Sequence, residues 1–395
     1  MNKPIISYIF SGICVLASLS GSAQTLSQRD AIARIVANNA GVKGIQASGN
    51  ADVLSLQNDN TLPDPEVSGG YLFGDGTDNR WELEVSQGFA WPGLYGAQKK
   101  VIGSVSAANE ERRRVAALTV ADQARQQMVR GTYLTRHLAL LESLKANMDS
   151  LAHSIEYGYN KGELTLLDLK KVRFEIFRLD TQIAQVRSER QKVESALTAL
   201  NNGENIAVDM TQYDVEPLNA LSYYLDKARQ SPEIALSDRA IETARLEGEA
   251  ARMGRLPSLS LGYKHSIEDG HSFNGVTAGI SVPVFSGRKA RQAAQARQTA
   301  AEYDRAQTAN DIETQVSALY DQTLRQQDLL KHFSPVVLDD EYPELLLMAY
   351  HGGETNVITL IQEMNYYLQA RQEYLEADYA YRAALASLNR YDLPF

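Results

Sequence analysis

The feature that most constrains the fold is a long heptad-patterned helix that occurs twice. In its first copy, apolar residues recur at alternating steps of three and four, with one interruption at Arg190. A period of 3.5 residues predicts a narrow seam that packs against neighbouring helices, as in a coiled coil. The seam positions are Leu169, Val172, Ile176, Leu179, Ile183, Val186, Val193, Leu197 and Leu200.

The second copy lies 191 positions further on and is less regular. Its seam is interrupted at Arg371, and its steps do not alternate strictly. A turn motif with Tyr159, Gly162 and Glu163 precedes the first copy, and the same residue types precede the second. The second seam consists of Leu360, Met364, Tyr367, Tyr374, Ala377, Tyr381, Leu385 and Leu388.

This repeat predicts one architecture built twice, although 395 residues would allow two or three ordinary domains. Each half is expected to run helix, β-hairpin, long helix, tip, long helix. We predict a signal peptide at 1–23, a first repeat at 24–203, a link at 204–217 and a second repeat at 218–395. The predicted hairpins are 66–90 and 258–285, and the predicted tips lie near 157–163 and 336–354.

The N-terminus has the pattern of a secretory signal. Lys3 gives it a positive end, an apolar run follows, and Gly21-Ser22-Ala23 fits a small-residue cleavage site. An anchored N-terminal helix is the alternative. The single cysteine, Cys14, lies inside this segment, so the mature chain is expected to have no disulfide, which suits export to an oxidising compartment. No later apolar run reaches the 18 residues typical of a transmembrane helix.

The two hairpins show strict alternation of apolar and polar residues. In the second strand, Trp81, Leu83 and Val85 alternate with Glu82 and Glu84. Strands of about ten residues with this pattern are typical of membrane-spanning β-barrels. The alternative is a half-buried antiparallel sheet in a soluble domain. The candidate aromatic girdle at the lipid boundary consists of Tyr71, Phe73, Trp81, Phe89, Trp91, Tyr263 and Phe285.

Four strands are too few to close a barrel, and an open sheet edge cannot face lipid. Membrane insertion therefore requires several chains to share one barrel. A ring of the heptad helices from those chains would form an α-helical tube with a polar lumen. The alternative for the seams is an intrachain coiled-coil hairpin. The predicted fold class is mainly α, with a long α-helical barrel, four β-strands per chain and a membrane β-barrel portion.

Several motifs resemble those of one family. Ser281-Val-Pro-Val-Phe-Ser-Gly-Arg288 resembles the strand-to-helix junction of the TolC family of outer-membrane efflux and secretion ducts, and Gln87–Gly93 is a looser copy. Ser231-Pro-Glu-Ile is similar to the family's helix-break motif, whereas Asn39-Ala-Gly-Val departs from it. The tip motif beginning at Tyr159 is close to the family form. Together these motifs extend over essentially the whole mature chain.

The resemblance implies a homotrimer in the cell outer membrane. Each subunit would give four strands to a twelve-stranded barrel, and the helices would continue the pore into the periplasm. The tips would dock a periplasmic adaptor (membrane fusion) protein and an inner-membrane pump, for which the RND type is the candidate. The implied function is a passive duct, with metals, drugs, bile salts, dyes and secreted proteins all open as cargo.

The resemblance also implies which tip residues dock partners and gate the pore. In the family, acidic residues after the second tip motif constrict the periplasmic end, but Thr359 and Gln362 occupy those positions here. Acidic selectivity would then come from Asp168, or from Glu163 and Glu354; the alternative is that these residues only stabilise turns. The candidate docking and gating residues are Tyr159, Lys161, Gly162, Glu163, Asp168, Gly352, Gly353, Glu354, Thr359 and Gln362.

Other functional classes find little support in the sequence. The net charge of −10, without a basic stripe, disfavours nucleic acid as a partner. The sequence has no catalytic triad signature or P-loop, and its six histidines do not form a ligand set, so we predict no enzyme activity, cofactor or metal. The competing function is a periplasmic coiled-coil adaptor or scaffold that never enters the membrane. Such an adaptor would carry a lipoyl-like β-domain, whereas this chain carries two amphipathic hairpins.

Overall fold

The computed structural model describes residues 26–74, 79–268, 270–283, 289–333 and 341–393. The predicted signal peptide, with Cys14, and the girdle candidate Phe285 lie outside these ranges. The helices are α1 (Gln28–Asn38), α2 (Ala40–Asp59), α3 (Pro92–Lys161), α4 (Leu166–Leu200), α5 (Leu221–Arg229), α6 (Pro232–Met253), α7 (Ala290–His332), α8 (Tyr342–His351) and α9 (Val357–Leu388). The strands are β1 (Glu66–Leu72), β2 (Arg80–Phe89), β3 (Ser258–Glu268) and β4 (His271–Ser281).

Helix α3 is the central element of the helical part. Its 70 residues extend about 105 Å at 1.5 Å per residue. At one end of the molecule α3 packs between α4 and α9, and towards the sheet it packs between α2 and α6. Helix α7 continues the layer next to α6 and α9. The helices thus form one curved wall, ordered α4-α3-α9-α7 at one end and α2-α3-α6-α7 at the other.

The predicted seams form the core of this wall. In α4 the seam residues are buried, with Ile176 and Leu200 partly buried. In α9 Leu360, Met364 and Tyr367 are buried in the same cluster. The packing of apolar side chains at 3.5-residue spacing against α3 explains why the two halves share this pattern.

The strands form one antiparallel sheet in the order β1-β2-β3-β4. The β2–β3 pair joins the two predicted hairpins, with Val85 opposite Tyr263. Val67 and Val276 complete the same row on β1 and β4. Because side chains alternate along each strand, the register places most apolar residues on one face, the apolar sheet face, and most polar residues on the other, the polar sheet face. Leu72 and Phe273 are apolar exceptions on the polar sheet face.

Short polar side chains set the helix breaks. Ser27 caps α1, since its side chain accepts a hydrogen bond from the Asp30 amide. The break between α1 and α2 falls at Asn39, whose Oδ1 accepts from the Val42 amide at 3.1 Å. Ser231 caps α6 in the same way through the Ile234 amide at 3.4 Å. These caps satisfy amides that a helix start leaves unpaired.

The tips differ from their predicted boundaries. The first tip is predicted to turn from Tyr157, but α3 remains helical through Lys161 and only 162–165 form the turn. The second tip, predicted near 336–354, contains helix α8, because Pro343 occupies a first-turn position where proline stabilises a helix start. Its residues 334–340 lie outside the described ranges.

Residues 204–217 contain no helix and are fastened to the wall. Val208 forms a parallel β-bridge with Leu26. Met210 lies against Gly131 of α3, where a Cβ atom would come within 2.2 Å of its sulfur. The link is therefore a strap docked against the start of the described chain and against α3. Among the described helices, none has both the length and the apolar character needed to cross a bilayer.

Candidate functional site

The apolar sheet face is uncovered. Val276 is 82% exposed and Val67 65% exposed, and the neighbouring apolar side chains are similarly open. A soluble monomer rarely leaves so many contiguous apolar side chains in water, so this surface requires lipid or a partner. The exposed side chains of this face are Val67, Tyr71, Trp81, Val85, Leu259, Leu261, Tyr263, Ile267, Val276 and Ile280.

Both edges of the sheet are open. Strands β1 and β4 each pair on one side only within the described chain. Their outer edges present unpaired amide and carbonyl groups, which favour pairing with another strand. A second copy of the chain could pair its own edge strand with one of these open edges and so extend the sheet.

The polar sheet face is crowded and charged. Glu82 pairs with Arg80 at 2.8 Å and with Lys264 at 2.7 Å. On the same face, a Cβ atom on Gly262 would come within 2.6 Å of the Thr277 hydroxyl. On the two central strands Glu82, Glu84 and Lys264 are half-buried, whereas the side chains of the apolar face, such as Val85 and Tyr263, are exposed. The side chains of the polar face therefore converge, which makes it the concave face.

The girdle candidates occupy different levels of the sheet. Tyr71 and Trp81 face each other at the hairpin end, and Phe73 packs edge-on against Tyr71 with ring centroids 5.1 Å apart. Phe89 and Trp91 lie at the opposite end, next to α3. Tyr263 instead lies in the middle row, where its hydroxyl donates to Asn274 Oδ1 at 2.7 Å.

The two tip turns have the same backbone geometry. Gly162 has φ +78° and Gly353 has φ +75°, a left-handed conformation that favours glycine. In each turn the following glutamate amide closes the helix: Glu163 donates to the Gly158 carbonyl, and Glu354 to the Ala349 carbonyl, both at 2.9 Å. This geometry explains why glycine recurs in both copies.

The other first-tip candidates surround this turn, and Gly352 is the C-cap of α8. The Lys161 ammonium lies 4.3 Å from the centre of the Tyr157 ring. The side chains of Tyr159, Glu163 and Glu354 are exposed. The structure therefore leaves both glutamates accessible at the end of the molecule.

Asp168 lies in a capping box at the start of α4. Its Oδ2 accepts from the Thr165 amide at 3.1 Å and from the Thr165 hydroxyl at 2.6 Å. In the second copy Asn356 takes the capping role, and the Thr359 amide donates to its Oδ1 at 3.0 Å. The Asp-to-Thr difference between the copies accordingly accompanies a change in cap chemistry.

A groove of about 410 Å³ lies between the starts of α4 and α9. Of the docking and gating residues predicted from the sequence, Gln362 alone lines it, and its neighbours there are apolar or basic. Phe174, on the α4 side, is 74% exposed. We name this surface the tip groove; its lining residues are Leu167, Lys170, Lys171, Phe174, Ile358, Ile361 and Gln362.

Contacts between the two tips hold this groove together. The Arg178 guanidinium, on α4, donates to Asn365 Oδ1 on α9. Burial, together with the nearby Asp168 carboxylate, raises the pKa of Tyr350 on α8. The docking residues predicted from the sequence did not include Phe174 and Phe177, which are exposed on α4. Both are aromatic residues outside the heptad seam, and this position could have identified them as surface contacts.

The remaining candidates do not form a chemical centre. Within the described ranges, no group of three or more metal-binding side chains comes together. His265 contacts Asn274 through Nδ1 at 2.7 Å on the apolar sheet face. These observations leave the sheet and the tips as the two surfaces to be explained.

Comparison with solved structures identifies similar folds. The outer-membrane channel CmeC of Campylobacter jejuni has a TM-score of 0.69 and 16% identity, with coverage of 99% of this chain and 93% of that chain. The open-state outer-membrane channel MtrE of Neisseria gonorrhoeae has a TM-score of 0.70 and 14% identity, with coverage of 92% and 88%. The outer-membrane protein VceC of Vibrio cholerae has a TM-score of 0.69 and 14% identity, with coverage of 92% and 95%.

Neither a protein-family model nor a curated protein sequence matches the chain. The similarity to the channel structures nevertheless extends over nearly all of both chains, including the four-stranded sheet and the long helices. The mainly helical fold with a four-stranded antiparallel sheet is confirmed. This chain has the fold of outer-membrane channels, and its resemblance to the TolC family holds at the level of that fold.

Proposed function

We propose that the protein is the outer-membrane duct of an efflux system and conducts solutes passively to the outside of the cell. The observation that carries this proposal is the uncovered apolar sheet face between two open sheet edges. In lipid, the apolar face would be solvated and the backbone edges would still need partners. A scaffold in the periplasm would leave both features in water.

Other copies of the chain would supply hydrogen-bond partners for the unpaired backbone groups at both sheet edges. Strand β4 of one copy would pair with β1 of the next, a head-to-tail contact that closes into a ring when the rotation permits. Three copies would give the twelve-stranded barrel implied by the family resemblance. The helical walls, built from tandem repeats 24–203 and 218–395, would join into an α-helical barrel in the periplasm.

The bilayer position follows from the strand lengths. Strands β2, β3 and β4, with ten or eleven residues each, match the length needed to cross a hydrocarbon core when tilted by about 45°, whereas β1 has seven. Tyr71, Phe73 and Trp81 would lie at the outer lipid boundary, and Phe89 and Trp91 at the periplasmic one. The tips are then furthest from the outer membrane, where an inner-membrane pump can reach them.

The proposed partners at the tips are a periplasmic adaptor and, with it, an inner-membrane pump of the RND type. The tip groove supports this proposal because it combines apolar walls with Lys170 and Lys171 at one side. A helical partner with an apolar stripe flanked by acidic residues would match it. At the turns, Glu163 and Glu354 are better placed than Asp168 to attract cations, since Asp168 Oδ2 is engaged by Thr165.

Replacing Phe174 by serine is expected to weaken adaptor binding about tenfold, because exposed aromatic anchors carry a large share of interface energy. Co-purification of the adaptor with the variant measures the change. Tyr303→Ser is the matched control, since Tyr303 is 73% exposed on α7 and lies outside the tip groove. Equal recovery of adaptor with both variants would remove the tip groove from the docking surface.

The duct proposal is tested by isolating the protein from cell envelopes and by recording from planar bilayers. We expect a heat-modifiable trimer in outer-membrane fractions, and steady single-channel conductance after reconstitution. A monomer released with the periplasmic fraction, without conductance, would favour the scaffold function.

A further inference from the structure

We propose that the barrel end of the duct selects cations over anions, and that Glu84 is the main determinant of this selectivity. The inference rests on the proposed duct function and names the class of solute that the barrel favours. It concerns the polar sheet face, at the opposite end of the molecule from the tips.

Glu84 lies near the middle of the polar sheet face. The register places it in one row with Ser68 on β1, Lys264 on β3 and Gly275 on β4. The row towards the hairpin ends contains Glu82, and the row beyond it contains Arg80 and Glu268. All of these side chains therefore share the concave face, which would line the lumen.

The two cations of this face are already paired. Glu82 binds both Arg80 and Lys264, and Arg80 also contacts Glu268 at 3.6 Å. The Glu84 carboxylate instead accepts a hydrogen bond from the Thr277 hydroxyl at 2.8 Å. Among the ion pairs of the described residues, none includes Glu84.

The charge balance of the polar sheet face is negative. Among the described residues of this face, Arg80 and Lys264 give two positive charges, whereas four glutamates, Glu66, Glu82, Glu84 and Glu268, give four negative ones. Every copy in the ring repeats this excess. A neutral hydroxyl holds the Glu84 side chain in place without cancelling its charge.

The geometry of a shared barrel makes this charge effective. Twelve strands spaced about 4.8 Å apart and tilted by about 40° enclose a barrel about 24 Å across between opposite backbones, and the lining side chains narrow its lumen further. The Debye length at physiological ionic strength is about 8 Å, so fixed charges on the wall act across much of such a lumen. Low-dielectric walls strengthen the effect by focusing the field along the pore.

The second tip lacks the acidic residues that the family resemblance implies at its constriction. Thr359 and Gln362 are neutral, and the Asp168 carboxylate serves the capping box. The barrel thus provides a second site of charge selectivity, which does not depend on whether the tips are open. Glu84 determines the specificity of this site.

The test is the reversal potential of purified trimers in planar bilayers under a potassium chloride gradient at low total salt. Wild-type channels are expected to favour potassium over chloride. Glu84→Gln keeps the side-chain shape and an acceptor for Thr277, and should lower the cation-to-anion permeability ratio about twofold or more as the fixed charge is lost. Raising the salt concentration should reduce the difference between the two proteins.

Lys264→Gln is the matched variant, because it lies in the same row and should shift the ratio in the opposite direction. Conducting Glu84→Gln trimers with the wild-type reversal potential would overturn the inference and leave the duct function intact. Wild-type protein that forms no channels would instead overturn the proposed function. A shift of the same sign in both variants would show general distortion of the barrel and would also refute a role for the Glu84 charge.

Discussion

A chain carrying Val67→Arg together with Val276→Arg is expected not to accumulate as a trimer in the outer membrane. The apolar sheet face has five rows of side chains along β2, at positions 81, 83, 85, 87 and 89. Val67 and Val276 lie in the middle row, with Val85. In the proposed barrel this row is near the bilayer midplane. Each arginine there costs about 2–4 kcal/mol, because its charge must leave water or deform the bilayer.

The size of this effect follows from repetition around the ring. Every copy contributes both substitutions, so the cost of about 2–4 kcal/mol per arginine is multiplied by the number of chains in the barrel. Folding of the helical wall should be little affected, since no buried contact of the seams is changed. Band intensity of the heat-modifiable trimer in outer-membrane fractions measures the outcome.

The matched control places the same charges on the opposite face. Ser68 and Gly275 are adjacent to the substituted residues on the same strands, and both lie on the polar sheet face. A Cβ atom at Gly275 would meet no heavy atom within 4 Å, so a side chain has room there. Ser68→Arg with Gly275→Arg should assemble. Equal accumulation of the two double variants would contradict a lipid-facing apolar surface.

Much of this sheet was predictable because period-two alternation is a local property of the sequence. Trp81, Leu83 and Val85 fix which face of β2 is apolar without any knowledge of its neighbours. The pairing of β2 with β3 was not predictable in this way, since those strands are separated by more than 160 positions. That pairing is what places Tyr263 in the middle row instead of at a boundary.

At the tips too, features set by neighbouring residues were predictable from the sequence, and contacts between distant segments were not. The turn at Gly162 was predictable because a helix end with φ above zero favours glycine. The tip groove was not, because it forms only where α4 meets α9, elements far apart in the sequence. The cap at Asp168 was open to both interpretations: Thr165 three positions earlier indicates a capping box, and a carboxylate at a pore end indicates a gate.

A second large effect is expected from a buried charge cluster that fastens the link to the wall. Asp378, on α9, is 4% exposed and accepts from Arg136 of α3 at 2.5 Å and from Arg382 at 3.2 Å. The ring of Tyr213, from the link, lies 5.5 Å from the Arg136 guanidinium and 5.4 Å from that of Arg382. Burial raises the pKa of Tyr213, so its phenol stays neutral.

Asp378→Ala is expected to destabilise the protein by about 3 kcal/mol per chain. Removal of one partner leaves two guanidinium groups close together without their shared counter-ion, and losses of this kind typically reach about 3–5 kcal/mol. The lower end applies because both arginine side chains retain contact with solvent. Thermal unfolding of the purified protein in detergent, followed by circular dichroism, measures the loss.

Asp180→Ala is the control for the loss of one carboxylate, since Asp180 pairs with Lys145 at 3.6 Å on an exposed surface. Exposed ion pairs contribute about 0–1 kcal/mol, so this variant should unfold close to the wild-type temperature. Asp378 differs because it joins α3, α9 and the link at one point, and its loss should also loosen the strap. Limited proteolysis within 204–217 should therefore accelerate in Asp378→Ala alone. Equal unfolding temperatures and equal cleavage rates for the two variants would show that the contacts of Val208 and Met210, and not this cluster, hold the link against the wall.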